Sequence, residues 1–292
     1  MKKKGFVEKT LYGNDKEDFT LESLPINRVN AFIKIIKTNW INLFLLSMIV
    51  TLSFCPIYFM NMAKNAYIID KTQLMDESLI MSFTLSTNLI FSLISIPLFI
   101  LSFIILEGVI GIIKRMTFRE GFLFFSDLKK EIKSGFKNTL ITSIVFSVIL
   151  SFCSFNFSFL NNSNVFIGIR LAILIVAILM LIFNIIVALF NLNLNSIYNL
   201  TIKNMYKNIL LLLFSKPLKN ILFAFIFCLP ILLTIFAPSL LISAIFLVML
   251  FLFLSSLIIL IFFLYSTYIF DIYINEKHCP SIYRKGLRKW KN

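Results

Sequence analysis

A single histidine, His278, removes most familiar catalytic constellations from consideration. A Ser-His-Asp or Cys-His set has one imidazole to draw on, and Cys279 beside it has no second His or Cys close enough in sequence to complete a zinc pattern. Glycine occurs only eight times in 292 residues, and no stretch resembles a phosphate-cradling loop or a dinucleotide fingerprint. Of the four cysteines, Cys55, Cys153 and Cys228 fall in apolar runs, where a thiol behaves as a small apolar group, so no disulfide framework is expected. These scarcities speak against hydrolase, metalloenzyme and nucleotide-binding classes. The chain reads as a non-enzyme without a cofactor.

What is abundant is apolar bulk. Hydrophobic residues make up 59% of the chain, charged residues 14%, and phenylalanine alone occurs 34 times. The mean hydropathy is +0.91, more apolar side chain than a soluble globule can hide. Six runs are long enough for the roughly 20 residues that a helix needs to cross a bilayer. They lie near Asn39–Met62, Ile80–Ile113, Asn138–Phe159, Val165–Leu194, Asn220–Ala237 and Leu240–Phe270. Their continuity lacks the alternation of a barrel wall, so the expected fold is all-α and polytopic, with about six transmembrane helices. The second run is longer than one crossing requires and contains Pro97, which predicts a kink or a projection beyond the bilayer.

Basic residues predict the orientation. Eight precede the first run, seven lie between the second and third, four between the fourth and fifth, and six follow the last; only Lys64, Lys71 and Arg170 fall on the other side. The positive-inside rule then places both termini in the cytoplasm of a multi-pass cell-membrane protein. The expected organisation is a cytoplasmic segment over 1–38, a six-helix domain over 39–270 and a basic cytoplasmic tail over 271–292. No removable signal peptide is expected, because polar or amphipathic sequence precedes a first run long enough to stay as an anchor. The net charge of +14 reads as attraction to an anionic inner leaflet, with no role for nucleic acid. Asn161-Asn162-Ser163 matches a glycosylation pattern and reads as a loop.

The stretch FSDLKKEIKSGFKNTLI places Phe125, Leu128, Ile132 and Phe136 along one helical face, with Lys129, Lys130, Glu131, Lys133 and Lys137 around the rest. It predicts a helix lying on the inner leaflet. Similar basic amphipathic segments precede the first run (Ile26, Val29, Phe32, Ile33 and Ile36 with Arg28, Lys34 and Lys37) and the fifth (Ile202, Met205, Tyr206 and Ile209 with Lys203 and Lys207). The echoes IKTNWINLF, FKNTLITSI and LKNILFAFI suggest three units of surface helix plus transmembrane hairpin. Lys129, Lys130, Lys133 and Lys137 are therefore candidates either for plain membrane-surface flanks or for a surface that docks a partner.

The run LEGVIGIIKRMTFREGFLFFSDLKKEIKSGFKNTLI and the run YNLTIKNMYKNILLLLFSKPLKNILFAF resemble the YesL-like family of bacterial membrane proteins. The first is similar to that family's helix end, short basic turn and Phe-rich segment before the next span, and the second to its polar segment, short apolar helix, basic-Pro step and next span. The resemblance implies a membrane protein of unknown biochemical function associated with carbohydrate uptake systems. It carries no catalytic or binding residues.

Two polar residues inside the runs need partners. Glu107 is the only acidic residue well inside a predicted span, so it should face the bundle, pair with a cation, or become protonated; a structural pair near the inner interface and a proton or cation site are both open. Asn184 fits either an interhelical hydrogen bond or a ligand contact. Thr84, Ser86, Thr87 and Asn88 form a patch that either lines a cavity or marks where the second helix projects into water. Arg170 should snorkel outward. The segment from Lys114 to Lys137 lacks the E-A-A-x-x-x-G coupling loop of binding-protein-dependent permeases. The leading expectation is an accessory component of a transport or envelope complex, with transport subunits as partners; an autonomous transporter or channel is the alternative.

Overall fold

The structure is a computed structural model, and it describes residues 24–73, 75–162, 166–198, 200–235 and 239–288. Long helices dominate: α1 (Arg28–Thr72), α2 (Glu77–Phe118), α3 (Phe124–Asn162) and α4 (Ile167–Ile197). Two shorter helices follow, α5 (Ile202–Ser215) and α6 (Pro217–Ile235). A final rod is built from α7 (Leu240–Met249), a π-helical segment (Leu250–Leu254), α8 (Ser255–Phe270), a second π-helical segment (Asp271–Asn275) and α9 (Glu276–His278). No strand occurs among the described residues. The chain is an all-α, polytopic membrane protein by the length and apolarity of these helices.

Among the described residues five helical elements are long and apolar enough to cross a bilayer, and a sixth crossing exists if α5 and α6, bent by 102° at their junction, are one span. The parity of the bundle decides this point. The start of α1 and the end of the rod meet: Arg28 Nη2 donates to Asp271 Oδ2 at 2.7 Å, Arg28 Nη1 to the Lys285 carbonyl at 3.2 Å, and the Arg288 amide to the Pro25 carbonyl at 2.9 Å. Both ends of the described chain therefore lie at one end of the bundle. An even number of traverses is required, so the bent pair carries the chain back across. The fifth predicted span is thus real as a traverse but begins at an elbow.

Helix lengths exceed one crossing. The 42 residues of α2 would extend about 63 Å at 1.5 Å per residue, twice the hydrocarbon thickness. Pro97 does not interrupt it. Outward of the bundle α1 and α2 continue as a pair, with Tyr67 and Phe83 in ring contact at 5.8 Å. Thr87 lies 27 residues before Lys114, about 40 Å along the axis, beyond the reach of one hydrocarbon layer counted from that lysine. Of the patch at Thr84, Ser86, Thr87 and Asn88, however, only Ser86 is exposed, Thr84 is half-buried, and Thr87 and Asn88 are buried, so length alone does not place the patch in water.

The three basic segments take different forms. Before the first span, helical geometry breaks at Asn39 (φ −124°, ψ 26°), so residues 28–38 form a helical segment distinct from the rest of α1, seated through Ala31 and Ile35. Of its predicted apolar face, Ile26, Val29 and Ile33 point outward. Before the fifth span, α5 buries Met205, Ile209, Leu212 and Leu213. Before the third span there is no separate surface helix: residues 124–137 are the continuous first turns of α3, packed along α2. Phe125 and Phe136, assigned to its apolar face, are exposed, whereas Glu131, assigned to the charged face, is buried. Asn161 and Asn162 belong to the last turn of α3 and not to a loop, while Ser163 lies outside the described residues.

The described part of the segment expected as a basic tail, up to residue 288, packs against the end of the bundle where α1 begins. Asp271 accepts from Arg28, from the Asn275 amide at 2.8 Å and from the Arg284 backbone at 3.1 Å. Tyr198 donates to Asn275, and burial pushes the tyrosine hydroxyl above its ordinary pKa, which keeps it a donor. Gly286, at φ +76°, turns the chain under α2, where a Cβ would collide with the Thr117 carbonyl, and this turn inserts Leu287 into the core. Lys285 reaches Glu120 at 2.6 Å. Further along the rod, the carbonyl of Leu250, at the start of the first π-helical segment, accepts from Ser47 at 2.7 Å, Thr51 at 3.1 Å and Ser255 at 3.0 Å.

Candidate functional site: the inner end of α2, α3 and α4

Close approach builds this site. Gly108 and Gly111 on α2 and Gly135 on α3 lie at the crossing of the two helices, and none has room for a side chain. A Cβ on Gly108 would stand 2.7 Å from Ile132 Cγ1; one on Gly111 would overlap the stem of Glu131; one on Gly135 would stand 2.6 Å from Glu107 Oε1. Small residues let the backbones meet, as in membrane helix pairs generally. The consequence is that two carboxylates, Glu107 and Glu131, are pressed into the seam.

Glu131 is matched by cations. Lys114 Nζ lies 3.0 Å from Oε2 and also donates to the Ser196 carbonyl at 2.8 Å, while Arg115 donates through Nε at 3.1 Å and Nη2 at 3.0 Å to Oε1. Arg115 also reaches Asp127 at 3.4 Å. This network ties α2, α3 and the end of α4 together at the level where the apolar belt stops. The sequence pattern counted Glu131 among solvent-facing charges, because periodicity does not reveal the two cations on the facing helix.

Glu107 is matched differently. Its carboxylate is 2% exposed, which removes the reading in which it reaches headgroup water. Among the described residues it has no ion pair; Lys114, two turns on, is held by Glu131. Instead Asn195 of α4 donates to Oε1 at 3.0 Å, and the same amide nitrogen lies 3.2 Å from the Gly135 carbonyl and 3.3 Å from Thr139 Oγ1. Asn138 Nδ2 donates to Asn195 Oδ1 at 2.8 Å. Oε2 of Glu107 has no hydrogen-bond partner.

Asn195 is the residue that sequence reasoning missed, and its spacing was a usable signal. Asn184, Asn191 and Asn195 recur at seven and four residues, one face of α4. Asn184, one of the two sequence candidates, donates across to the Phe146 carbonyl of α3 at 3.0 Å, an interhelical bond. Asn191 is fully buried, and both of its amide atoms are unpartnered. Asn193, on the other side of α4, donates to Ser266 of the rod at 2.8 Å. The structure thus joins Glu107 and Asn195, with Asn184 three turns away along the same seam. Arg170, in the first turn of α4, is exposed.

Lys129, Lys130, Lys133 and Lys137 are all exposed on the first turns of α3, on the side turned away from Glu131, Gly135 and Thr139. The helix that carries them is fixed to α2 by the glycine contacts and the Glu131 network. They form a basic ridge on a rigid support. No protein-family model, no curated protein and no solved structure matches this chain.

Proposed function

We propose that the protein is a non-enzymatic accessory component of a membrane complex for transport or envelope work, inserted in the cell membrane with both ends in the cytoplasm. Carbohydrate uptake is the role that the resemblance to YesL-like proteins implies. The observation that carries the reading is the ridge of Lys129, Lys130, Lys133 and Lys137: four exposed cations on a helix whose acidic residues, Asp127 and Glu131, are already engaged by Arg115 and Lys114. Such a face fits an acidic surface on a partner subunit, with the anionic inner leaflet beside it.

The test is mild cross-linking in the native membrane, purification and quantitative mass spectrometry, for the wild type and for Lys129→Glu/Lys133→Glu/Lys137→Glu. Transport subunits recovered at near-equal amounts with the wild type, and lost with the variant although it inserts normally, would support the proposal. Recovery of this chain alone with lipid would sink it.

One observation favours the second reading, an autonomous transporter or channel. Glu107 Oε2 and the Asn191 amide are buried without partners in one seam, a polar arrangement of the kind that ion and proton paths use. In reconstituted vesicles that reading requires Glu107→Gln to abolish flux while leaving insertion intact; unchanged flux removes Glu107 from any mechanism.

A further inference from the structure

The outer face of α5, just before its elbow with α6, carries an open crevice of about 450 Å³, lined by Lys207, Leu210, Leu211, Phe214 and Ser215. Its depth in the bundle follows from two contacts. Asn220, in the first turn of α6, donates to the Leu212 and Leu213 carbonyls freed by the bend, at 3.1 and 2.8 Å, and accepts from Tyr265 at 2.7 Å. The Lys216 ammonium lies 5.0 Å from the Tyr268 ring centroid. Tyr265 stands six residues before Asp271, about 9 Å inward from the Arg28 ion pair. The crevice therefore lies where a polar headgroup region gives way to hydrocarbon.

Its lining combines charge with bare apolar bulk. Met205, Ile209, Leu212 and Leu213 face the bundle, which leaves Leu211 at 65% and Phe214 at 70% exposure on the outside, with Leu218 beyond them at 83%. Lys203, Lys207 and Lys219 are exposed along the same stretch, and the chain contains no carboxylate between Glu131 and Asp271. Among the described residues Lys207 has no hydrogen bond or ion pair. An open helix face on which an unpaired ammonium stands beside bare leucine and phenylalanine suits an amphiphile with an anionic head; a water-soluble anion would leave the apolar part uncovered.

We propose that this crevice binds one anionic glycerophospholipid of the adjacent leaflet, its phosphate on Lys207 and the upper part of one acyl chain along Leu210, Leu211 and Phe214. The site is separate from the Lys129–Lys137 ridge and does not depend on the accessory reading.

The full chain, purified in a mild non-ionic detergent, would be titrated with phosphatidylglycerol or phosphatidylcholine and read by native mass spectrometry, alongside Lys207→Gln, Leu211→Asn and, as a control on α3, Lys130→Gln. The wild type should retain one phosphatidylglycerol in preference to phosphatidylcholine. Lys207→Gln should lower that preference about fivefold, the worth of one lysine at an anionic surface, Leu211→Asn should weaken retention of both lipids, and Lys130→Gln should match the wild type. Equal retention of the two lipids by the wild type, equal losses in Lys207→Gln and Lys130→Gln, or a lipid-free dimer seated through this face would each overturn the proposal.

Discussion

Placing a methyl group on Gly135 tests the inner seam at its tightest point. In Gly135→Ala the new Cβ would stand 2.6 Å from Glu107 Oε1, 2.7 Å from Asn195 Nδ2 and 2.8 Å from Glu107 Cγ. The first of these is about 0.8 Å short of ordinary van der Waals contact at 3.4 Å. Either α3 moves away from α2, loosening the Gly108 and Gly111 contacts, or Glu107 swings and loses Asn195. Overpacking costs about 1–3 kcal/mol, and an interhelical hydrogen bond in a membrane protein about 0.6 kcal/mol. The expected destabilisation is therefore roughly 2 kcal/mol. The assay is equilibrium unfolding in mixed micelles followed by tryptophan fluorescence, run as a double-mutant cycle with Glu107→Ala. Truncating Glu107 removes two of the three clashing atoms and frees Asn195 to move, so in that background the alanine should cost under about 0.5 kcal/mol. Gly121→Ala, where nothing lies within 4 Å, is the internal control and should be near neutral. An equal cost for Gly135→Ala with and without Glu107, or a comparable cost at Gly121, would refute the reasoning.

Glu131→Gln should destabilise by roughly 3 kcal/mol in the same assay, because it leaves the Lys114 ammonium without its ion pair and Arg115 with Asp127 alone in a mostly buried site; a change under about 0.5 kcal/mol would mean that the network is solvated. Gly286→Ala forces an alanine to a left-handed backbone against the Thr117 carbonyl and should cost about 1–2 kcal/mol, with limited proteolysis after residue 278 as the readout of a released cap. Single cysteines at Asn27 and Arg288 in a cysteine-free background should react with an impermeant thiol reagent from the same face of sealed vesicles. Labelling from opposite faces would refute the six-traverse topology.

Much of the architecture was legible in composition alone, because an unbroken apolar run of this length has one low-energy solution, a helix that satisfies its own backbone. The long reach of α2 could be read from its run length, and Asn184 from the cost of a lone amide in an apolar helix. The three sequence echoes do not mark one recurring feature: Asn39 stands at the break in α1 and Asn220 caps the broken end of α5, whereas Asn138 lies within the continuous α3, bonded to Asn195.

The amino-acid sequence by itself determined that the chain is helical, where its apolar segments run, and which connecting segments are basic, since hydrophobicity and charge are properties of residues one at a time. The tertiary structure alone decided that Glu131 is buried between Lys114 and Arg115, that Glu107 meets Asn195, 88 residues away, instead of a cation, and that the basic tail folds under α2 to bind Arg28. The first two outcomes depend on how closely α2 and α3 approach. That distance is set by Gly108, Gly111 and Gly135 acting together across a crossing, which no periodicity along one strand of sequence can express.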